Sequence, residues 1–240
     1  ALVHDGRVEV SREGASVDGR RTSVAAADIM TRGLGGDSLV RPKVPRDVTL
    51  GPRRVVPLCV LADREPQAAK RIKRLLKERP EVPEELDFFA LVRQPDDMQL
   101  KEREAKIVEM LQGGAHSRRA LSEGSGALVP ELLSSGRLEQ AGVIRLASVT
   151  PTDALHVLGE FTGFDEEIAR LAVDALASIL GMDPDETAEL IKTRFELRLA
   201  EFIMERQLRA DGHPGLDADC DGCGEFIDYR SEEHTSELQS

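Results

Sequence analysis

A glycine-dense turn near the start of the chain holds residue types whose spacing suits the binding of an anion. The segment runs Asp28-Ile-Met-Thr-Arg-Gly-Leu-Gly-Gly-Asp-Ser38, and its glycines are Gly33, Gly35 and Gly36. Glycine permits positive φ and leaves the backbone bare, so successive N–H groups can point into one concavity that suits a phosphate. Asp37 and Ser38 follow directly and could serve a metal ion or a hydroxyl group. A tight turn without any ligand is the alternative interpretation.

A second segment, residues 150–159, combines a helix start with hydroxyl and carboxylate side chains. Thr150 or Thr152 can cap the helix, with Asp153 in its first turn. The spacing favours a simple cap, and the alternative is that Thr152 and Asp153 face a ligand at the helix start. His156 lies one turn beyond Asp153, and we interpret it as a structural histidine in preference to a base.

Together these two segments resemble paired signatures of the hydantoinase/oxoprolinase family. Between them, Leu50-Gly-Pro-Arg-Arg-Val-Val-Pro57 lies where that family has a Gly-Pro-containing start of a strand. The order of the segments and their strand–loop–strand context agree over residues 1–210. The resemblance implies an actin-like ATPase fold and an enzyme that uses ATP to activate a cyclic amide or ketone carbonyl for hydrolysis or carboxylation.

The resemblance also implies roles for individual residues. It makes Asp153 the catalytic candidate and ATP with Mg²⁺ the cofactors, and it predicts no residue as a direct metal ligand. The residues that it places along the nucleotide or substrate cleft are Gly33, Gly35, Gly36, Asp37, Ser38 and Thr152. Asp37 replaces the third glycine of the usual Gly-Gly-Gly-Ser pattern, as in a shorter subgroup with Gly-Gly-Asp-Ser. Because a carboxylate repels a bare phosphate, we expect Asp37 either to act through Mg²⁺ or to have a loop role away from the phosphates.

Both ends of the sequence indicate a fragment. The family's Gly-Gly-Thr-(Ser/Thr)-Thr-Asp phosphate loop would lie directly before Ala1, and the chain starts without Met inside an apparent strand. Residues 230–240 resemble the translation of a sequencing-library adapter, so we exclude them from functional reasoning. We therefore expect this chain alone not to turn over substrate.

Composition indicates a globular protein, and the family resemblance implies a small-molecule substrate. The hydrophobic content is 40% and the charged content 32%. The net charge of −12 disfavours broad binding to nucleic acid or to an anionic membrane. No apolar run approaches the roughly 20 residues that span a bilayer. Cysteine usage and the lack of a leader favour the cytoplasm. The partners that we expect are a second hydantoinase-type subunit or another copy of the chain.

The fold class predicted is α/β, or α+β within this chain, and five regions follow from the pattern. They are a β-rich partial ATPase core at 1–99, a winged-helix-like insert at 100–150, a helical part of the ATPase domain at 151–212, an acidic loop at 213–229 and the tail at 230–240. In the first region we predict a hairpin at Asp5-Gly6 and a buried strand over Val55–Leu61. Cys59 lies in that strand as a buried apolar residue.

Periodicity further predicts a helix over 66–79, a strand over 87–92 and two long helices that begin after Asp165 and Asp183. The basic cluster Lys70–Arg74 is interpreted as a solvated helix face. The insert is predicted to hold three helices (102–111, 118–121 and 128–134) and a hairpin at 137–146.

Two functions remain as alternatives to the enzyme. An actin-like ATPase can act as a reactivating chaperone or regulatory protein, and the insert can be a winged-helix module that binds DNA. Near the end of the chain, an incomplete EF-hand pattern and half of a zinc site overlap, and we favour a plain acidic surface loop over either metal site. The residues concerned are Asp217, Asp219, Asp221, Cys220 and Cys223.

Overall fold

The computed structural model describes residues 31–43, 45–127, 133 and 135–210, together with the backbone of short strands within 3–27. The chain divides into two compact units, of which one comprises residues 33–199 and the other comprises 1–32 with 200–240. The described residues mix helix and sheet, which agrees with an α/β or α+β class.

Six two-residue strands occupy the first part of the chain. They are β1 (Val3–His4), β2 (Arg7–Val8), β3 (Val10–Ser11), β4 (Ser16–Val17), β5 (Arg20–Arg21) and β6 (Ala26–Ala27). They pair antiparallel as β1–β2, β3–β6 and β4–β5. Val3 lies opposite Val8 and His4 opposite Arg7, which confirms the hairpin predicted across residues 5 and 6.

A longer hairpin follows the glycine turn. It consists of β7 (Ser38–Lys43) and β8 (Asp47–Arg54), which pair antiparallel with a register shift between Ser38 and Val40. Val40, Val48 and Leu50 are buried on its inner side, as expected where side chains alternate between the faces of a strand.

The central sheet has four strands. They are β9 (Val56–Pro57), β10 (Phe88–Leu91), β11 (His116–Ser117) and β12 (Ile144–Ser148), in the order β11-β10-β12-β9. β10 is antiparallel to both of its neighbours, whereas β12 is parallel to β9. Phe88 and Phe89 are both buried but belong to different apolar clusters, because successive side chains of a strand point to opposite faces. The sheet is therefore covered on both faces.

Eight helices in the described residues pack against these strands or extend from them. They are α1 (Leu58–Arg64), α2 (Pro66–Lys77), α3 (Glu102–Gln112), α4 (Arg118–Ser125), α5 (Gly136–Gln140), α6 (Pro151–Val157), α7 (Glu166–Leu180) and α8 (Pro184–Ala210), with a 3₁₀ turn at Pro83–Leu86. The cluster around Phe88 takes side chains from α1, α2, α6, α7 and α8. The cluster around Phe89 takes Ile107, Leu121 and Leu138 from α3, α4 and α5.

The helices with clear periodicity or caps are confirmed. In α2, the predicted apolar face of Ile72, Leu75 and Leu76 packs against the core, with Ile72 and Leu76 buried and Leu75 half-buried; Ala68 is buried as well. The Asp165 carboxylate accepts a hydrogen bond from the Ile168 N–H at 2.9 Å and so caps α7. Asp183 accepts from the Asp185 N–H at 2.8 Å at the start of α8.

The strand predicted over Val55–Leu61 is wrong beyond Pro57. Leu58 begins α1, and every residue from Leu58 to Ala62 is buried. A short helix buried on all sides has no amphipathic period, so its apolar run cannot be told from a buried strand by pattern alone. Cys59 is buried as predicted, but it lies in the first turn of this helix.

The hairpin predicted at 137–146 is also wrong. Its first half is the helix α5, and its second half, β12, pairs with β10 and β9 of the central sheet. Leu138 is buried in the cluster around Phe89, so tertiary packing favours the helix over a strand. The third helix predicted for the insert falls mostly outside the described residues.

The predicted regions 213–229 and 230–240 lie outside the described residues, and so do Asp217, Asp219, Cys220, Asp221 and Cys223. Of the helices that the structure describes, none combines the length and apolar character needed to cross a membrane.

Candidate functional site

The glycine loop forms a closed turn at the start of β7. The Ser38 N–H donates to the Gly35 carbonyl oxygen at 2.9 Å, and the Gly35 N–H donates to Ser38 Oγ at 2.9 Å. Ser38 is fully buried. Within residues 35–38, the N–H groups that remain outside these bonds are those of Gly36 and Asp37, so the turn offers an anion at most two backbone donors.

This turn is bonded directly to the start of α6. The Thr152 N–H and Thr152 Oγ1 both donate to the Gly36 carbonyl oxygen, at 3.0 and 2.7 Å. The two segments that the sequence analysis singled out are therefore in contact, although 116 positions separate Gly36 from Thr152.

The glycines are required for close approach and not for positive φ. Gly33, Gly35 and Gly36 are absent from the left-handed region, so the loop does not use the positive φ that glycine permits. A Cβ at Gly36 would lie 2.7 Å from Thr152 Oγ1, and a Cβ at Gly33 would lie 2.8 Å from the Pro52 carbonyl oxygen. Both distances are shorter than real Cβ contacts. The bare backbone of this loop lets it pack against its neighbours.

The third segment of the family resemblance lies at the same place. Gly51 has φ of +58° and precedes a cis peptide bond to Pro52. A Cβ at Gly51 would lie 2.8 Å from the Gly33 carbonyl oxygen, so the two backbones are in close contact. The glycine loop thus lies between the Gly51-Pro52 peptide in β8 and the start of α6.

Asp37 bonds Arg54, a residue to which the sequence motifs assign no role. Arg54 Nε donates to both carboxylate oxygens of Asp37 at 2.9 Å. The Val55 N–H also donates to the Asp37 carbonyl oxygen at 2.8 Å. The Arg54 charge therefore offsets the repulsion that Asp37 alone would exert on a phosphate.

Asp153 connects the starts of two helices and has no exposed surface. Its Oδ2 accepts from the Thr150 N–H at 2.9 Å and from Thr150 Oγ1 at 2.8 Å, and its Oδ1 accepts from the Cys59 N–H at 2.9 Å. Burial raises the pKa of the Asp153 carboxyl, although the bonds from Cys59 and Thr150 act in the opposite direction. The capping interpretation is confirmed, and the catalytic role of Asp153 stays a prediction.

Cys59 is inert in this arrangement. Burial raises the pKa of its thiol far above the usual range, and the neighbouring Asp153 carboxylate raises it further. Because the thiolate is the reactive form, Cys59 has a packing role here, as the sequence indicated.

His156 is a structural histidine, as the sequence favoured. The Phe164 N–H donates to His156 Nε2 at 3.1 Å, so the ring proton lies on Nδ1, which donates to the Thr152 carbonyl oxygen at 2.7 Å. The ring also contacts Phe161 edge-on, with 5.1 Å between the centroids. Both ring nitrogens are therefore bonded: Nε2 joins α6 to the segment before α7, whereas the Nδ1 bond lies within α6.

Within the described ranges, no group of three or more histidine, cysteine, aspartate or glutamate side chains has the geometry to hold a metal ion. Comparisons of the chain with protein-family models, with curated proteins and with solved structures give no match.

Proposed function

We propose that this chain forms one wall of the nucleotide cleft of an ATP-dependent enzyme of the hydantoinase/oxoprolinase type. The observation that supports the proposal most strongly is the meeting of three distant segments at one point. Gly33–Ser38, Gly51-Pro52 and Thr150–Asp153 are the segments that carry the family resemblance, and each contacts its neighbour through backbone atoms. If the three segments resembled the family only by chance, there would be no reason for them to contact one another in the fold.

This wall lies beside the carboxyl ends of two parallel strands, a position that also favours ligand binding. β9 and β12 are parallel, and each leads into a helix, α1 and α6 respectively. Ligands of open α/β sheets bind outside the carboxyl ends of parallel strands. Thr152, just after the end of β12, bonds Gly36 of the glycine loop, so the loop lies beside this edge.

Under this proposal the residues of the wall have different tasks. The Gly36 and Asp37 N–H groups face the nucleotide, while Thr152 holds the turn in position through the Gly36 carbonyl. Asp37 and Arg54 present a bonded charge pair to the Mg²⁺-nucleotide. Asp153 fixes the starts of α1 and α6 from inside the fold. ATP would supply the phosphoryl group that activates a cyclic amide or ketone carbonyl of the substrate.

Binding of Mg-ATP by the chain tests the proposal. We expect weak, saturable binding in isothermal titration calorimetry, because the phosphate loop of the family is not in this sequence. Thr152→Val removes the bond from Oγ1 to Gly36 but keeps the shape of the side chain. It should raise the Kd about fivefold, the equivalent of one hydrogen bond of about 1 kcal/mol.

Thr49→Val is the matched control for this variant. Thr49 Oγ1 donates to the Arg41 carbonyl oxygen at 3.4 Å within the β7–β8 hairpin, so the same atoms are removed from the same unit. The proposal predicts no change of Kd in this control. It would be contradicted if the wild-type chain showed no saturable binding, or if both variants weakened binding equally.

A further inference from the structure

A shallow cleft beside the glycine loop is lined by three arginines. Its volume is about 200 Å³, and its titratable lining residues are Arg53, Arg54, Arg145 and Glu139. The remaining lining comes from Val92, Gly142, Ile144 and Leu146. Three arginines against one glutamate give the cleft a net positive charge in a chain whose net charge is −12.

The donors in this cleft are only partly used. Asp37 bonds Arg54 through Nε alone, so the two NH₂ groups of that guanidinium make no further hydrogen bond within the described part of the chain. Arg145 is exposed on β12 and pairs with no acidic side chain among the described residues. Arg53 pairs with Glu139, whose other oxygen accepts from Ser135 Oγ at 2.9 Å.

We propose that Arg54 and Arg145, with Arg53 beside them, bind an oxyanion of the size of one or two phosphate groups. Arginine has planar, forked N–H donors that match a phosphate, and the unbonded NH₂ groups of Arg54 together with the Arg145 guanidinium, which line the same cleft, can engage it together. The volume is below the roughly 300–1,000 Å³ of sites that hold a whole small-molecule ligand, so the cleft takes an ionic group and not a complete nucleotide.

This oxyanion site extends the proposed function, and it rests on the proposed function because a bound nucleotide is one source of the anion. Arg54 lines the cleft and also bonds Asp37 of the glycine loop, so an anion in the cleft lies next to the proposed nucleotide wall. The anion is either the phosphate tail of the bound nucleotide or free phosphate. The chemistry of recognition is the same for both sources.

Pyrophosphate is the first probe, titrated into the full chain by calorimetry in a chloride buffer of low ionic strength. Arg145→Gln removes an exposed, unpaired charge, so the fold should be unaffected. We expect this variant to weaken pyrophosphate binding about tenfold, as befits a lost charge-assisted hydrogen bond. Glu139→Gln removes the one acidic side chain of the cleft and should strengthen the binding.

Arg103→Gln is the matched control, because Arg103 is exposed on α3, lies outside the cleft lining and gives the same change of net charge. It should leave the affinity for pyrophosphate unchanged. The inference would be overturned if wild-type chain bound no pyrophosphate, or if Arg103→Gln and Arg145→Gln weakened binding to the same extent.

Mg-ATP is the second probe and distinguishes the two sources of the anion. If the anion is the phosphate tail of the nucleotide, Arg145→Gln weakens Mg-ATP binding as well. If the anion is free phosphate, Arg145→Gln leaves Mg-ATP binding unchanged. If the chain bound Mg-ATP but showed no pyrophosphate binding that depends on Arg145, this inference would be overturned and the proposed function would stand. Arg145-dependent binding of pyrophosphate without binding of Mg-ATP would support the site and count against the proposed function.

Discussion

At the scale of single residues, the Asp153 carboxylate is held inside the fold by three donors from Thr150 and Cys59. It is fully buried, so its contribution to stability depends on its protonation. Because burial raises its pKa in the folded chain, the unfolded chain loses this proton first as the pH rises. The contribution of Asp153 to stability therefore falls as the pH rises from about 4, the ordinary aspartate value, through the raised pKa.

Asp153→Asn tests this account of the residue. The amide turns an N–H group towards a backbone donor, so we expect the free energy of unfolding to fall by about 1–3 kcal/mol at the acidic end of the range. The deficit should shrink as the pH rises, because only the wild-type side chain ionises. Urea unfolding at a series of pH values measures both effects.

Asp63→Asn is a suitable control, because Asp63 is exposed on α1. Its stability should follow the wild-type curve throughout. An Asp153→Asn curve that runs parallel to the wild-type curve at every pH would show that the buried carboxyl has no raised pKa.

At the scale of elements, the glycine loop is held by two close contacts, one with a backbone atom and one with a side-chain atom. A Cβ at Gly33 meets the Pro52 carbonyl oxygen at 2.8 Å, and this atom can move only with β8. A Cβ at Gly36 meets Thr152 Oγ1 at 2.7 Å, and a side-chain rotation can move that atom away. The two substitutions therefore differ in cost although the distances are similar.

We expect Gly33→Ala to lower the free energy of unfolding by about 1–3 kcal/mol, as overpacking does. Gly36→Ala should cost about 1 kcal/mol, the value of the lost bond from Thr152 Oγ1. Thermal and urea unfolding of the two variants give the order. If Gly36→Ala were the more destabilising variant, the loop would not be fixed against α6 in the way described.

Sequence patterns correctly predicted the helices that have a clear hydrophobic period or an N-cap residue. The face of α2 with Ile72, Leu75 and Leu76 is an example, and the Asp165 cap of α7 is another. The patterns failed where tertiary packing decided the outcome. The first five residues of α1 are all buried, and β12 pairs with β10, which lies more than 50 positions earlier, in place of a local hairpin.

The candidate site was predictable in part for the same reason. Motif spacing located Gly36 and Thr152, which the structure joins. Spacing could not predict that Asp37 bonds Arg54 or that Arg145 lies beside Arg54, because these contacts depend on how separate strands pair. The only available signal was the adjacent pair Arg53-Arg54 directly after Gly51-Pro52.

At the scale of the unit formed by residues 33–199, helices cover both faces of the central sheet. A ligand can therefore approach the sheet only at its edges and at the ends of its strands. The end of β12 leads into α6, and the glycine loop is bonded there through Thr152. The central claim is that this edge is a wall of a nucleotide cleft. It requires the nucleotide to contact the loop and the start of α6 in the same complex.

Titration of ¹⁵N-labelled chain with Mg-ATP, followed through the amide resonances, tests that claim most directly. The account predicts saturable shifts of the Gly36, Asp37 and Thr152 amides with one common Kd, and no shift of amides on α3. It would be contradicted if these three amides stayed unchanged at a saturating nucleotide concentration, or if the shifts were confined to another part of the chain.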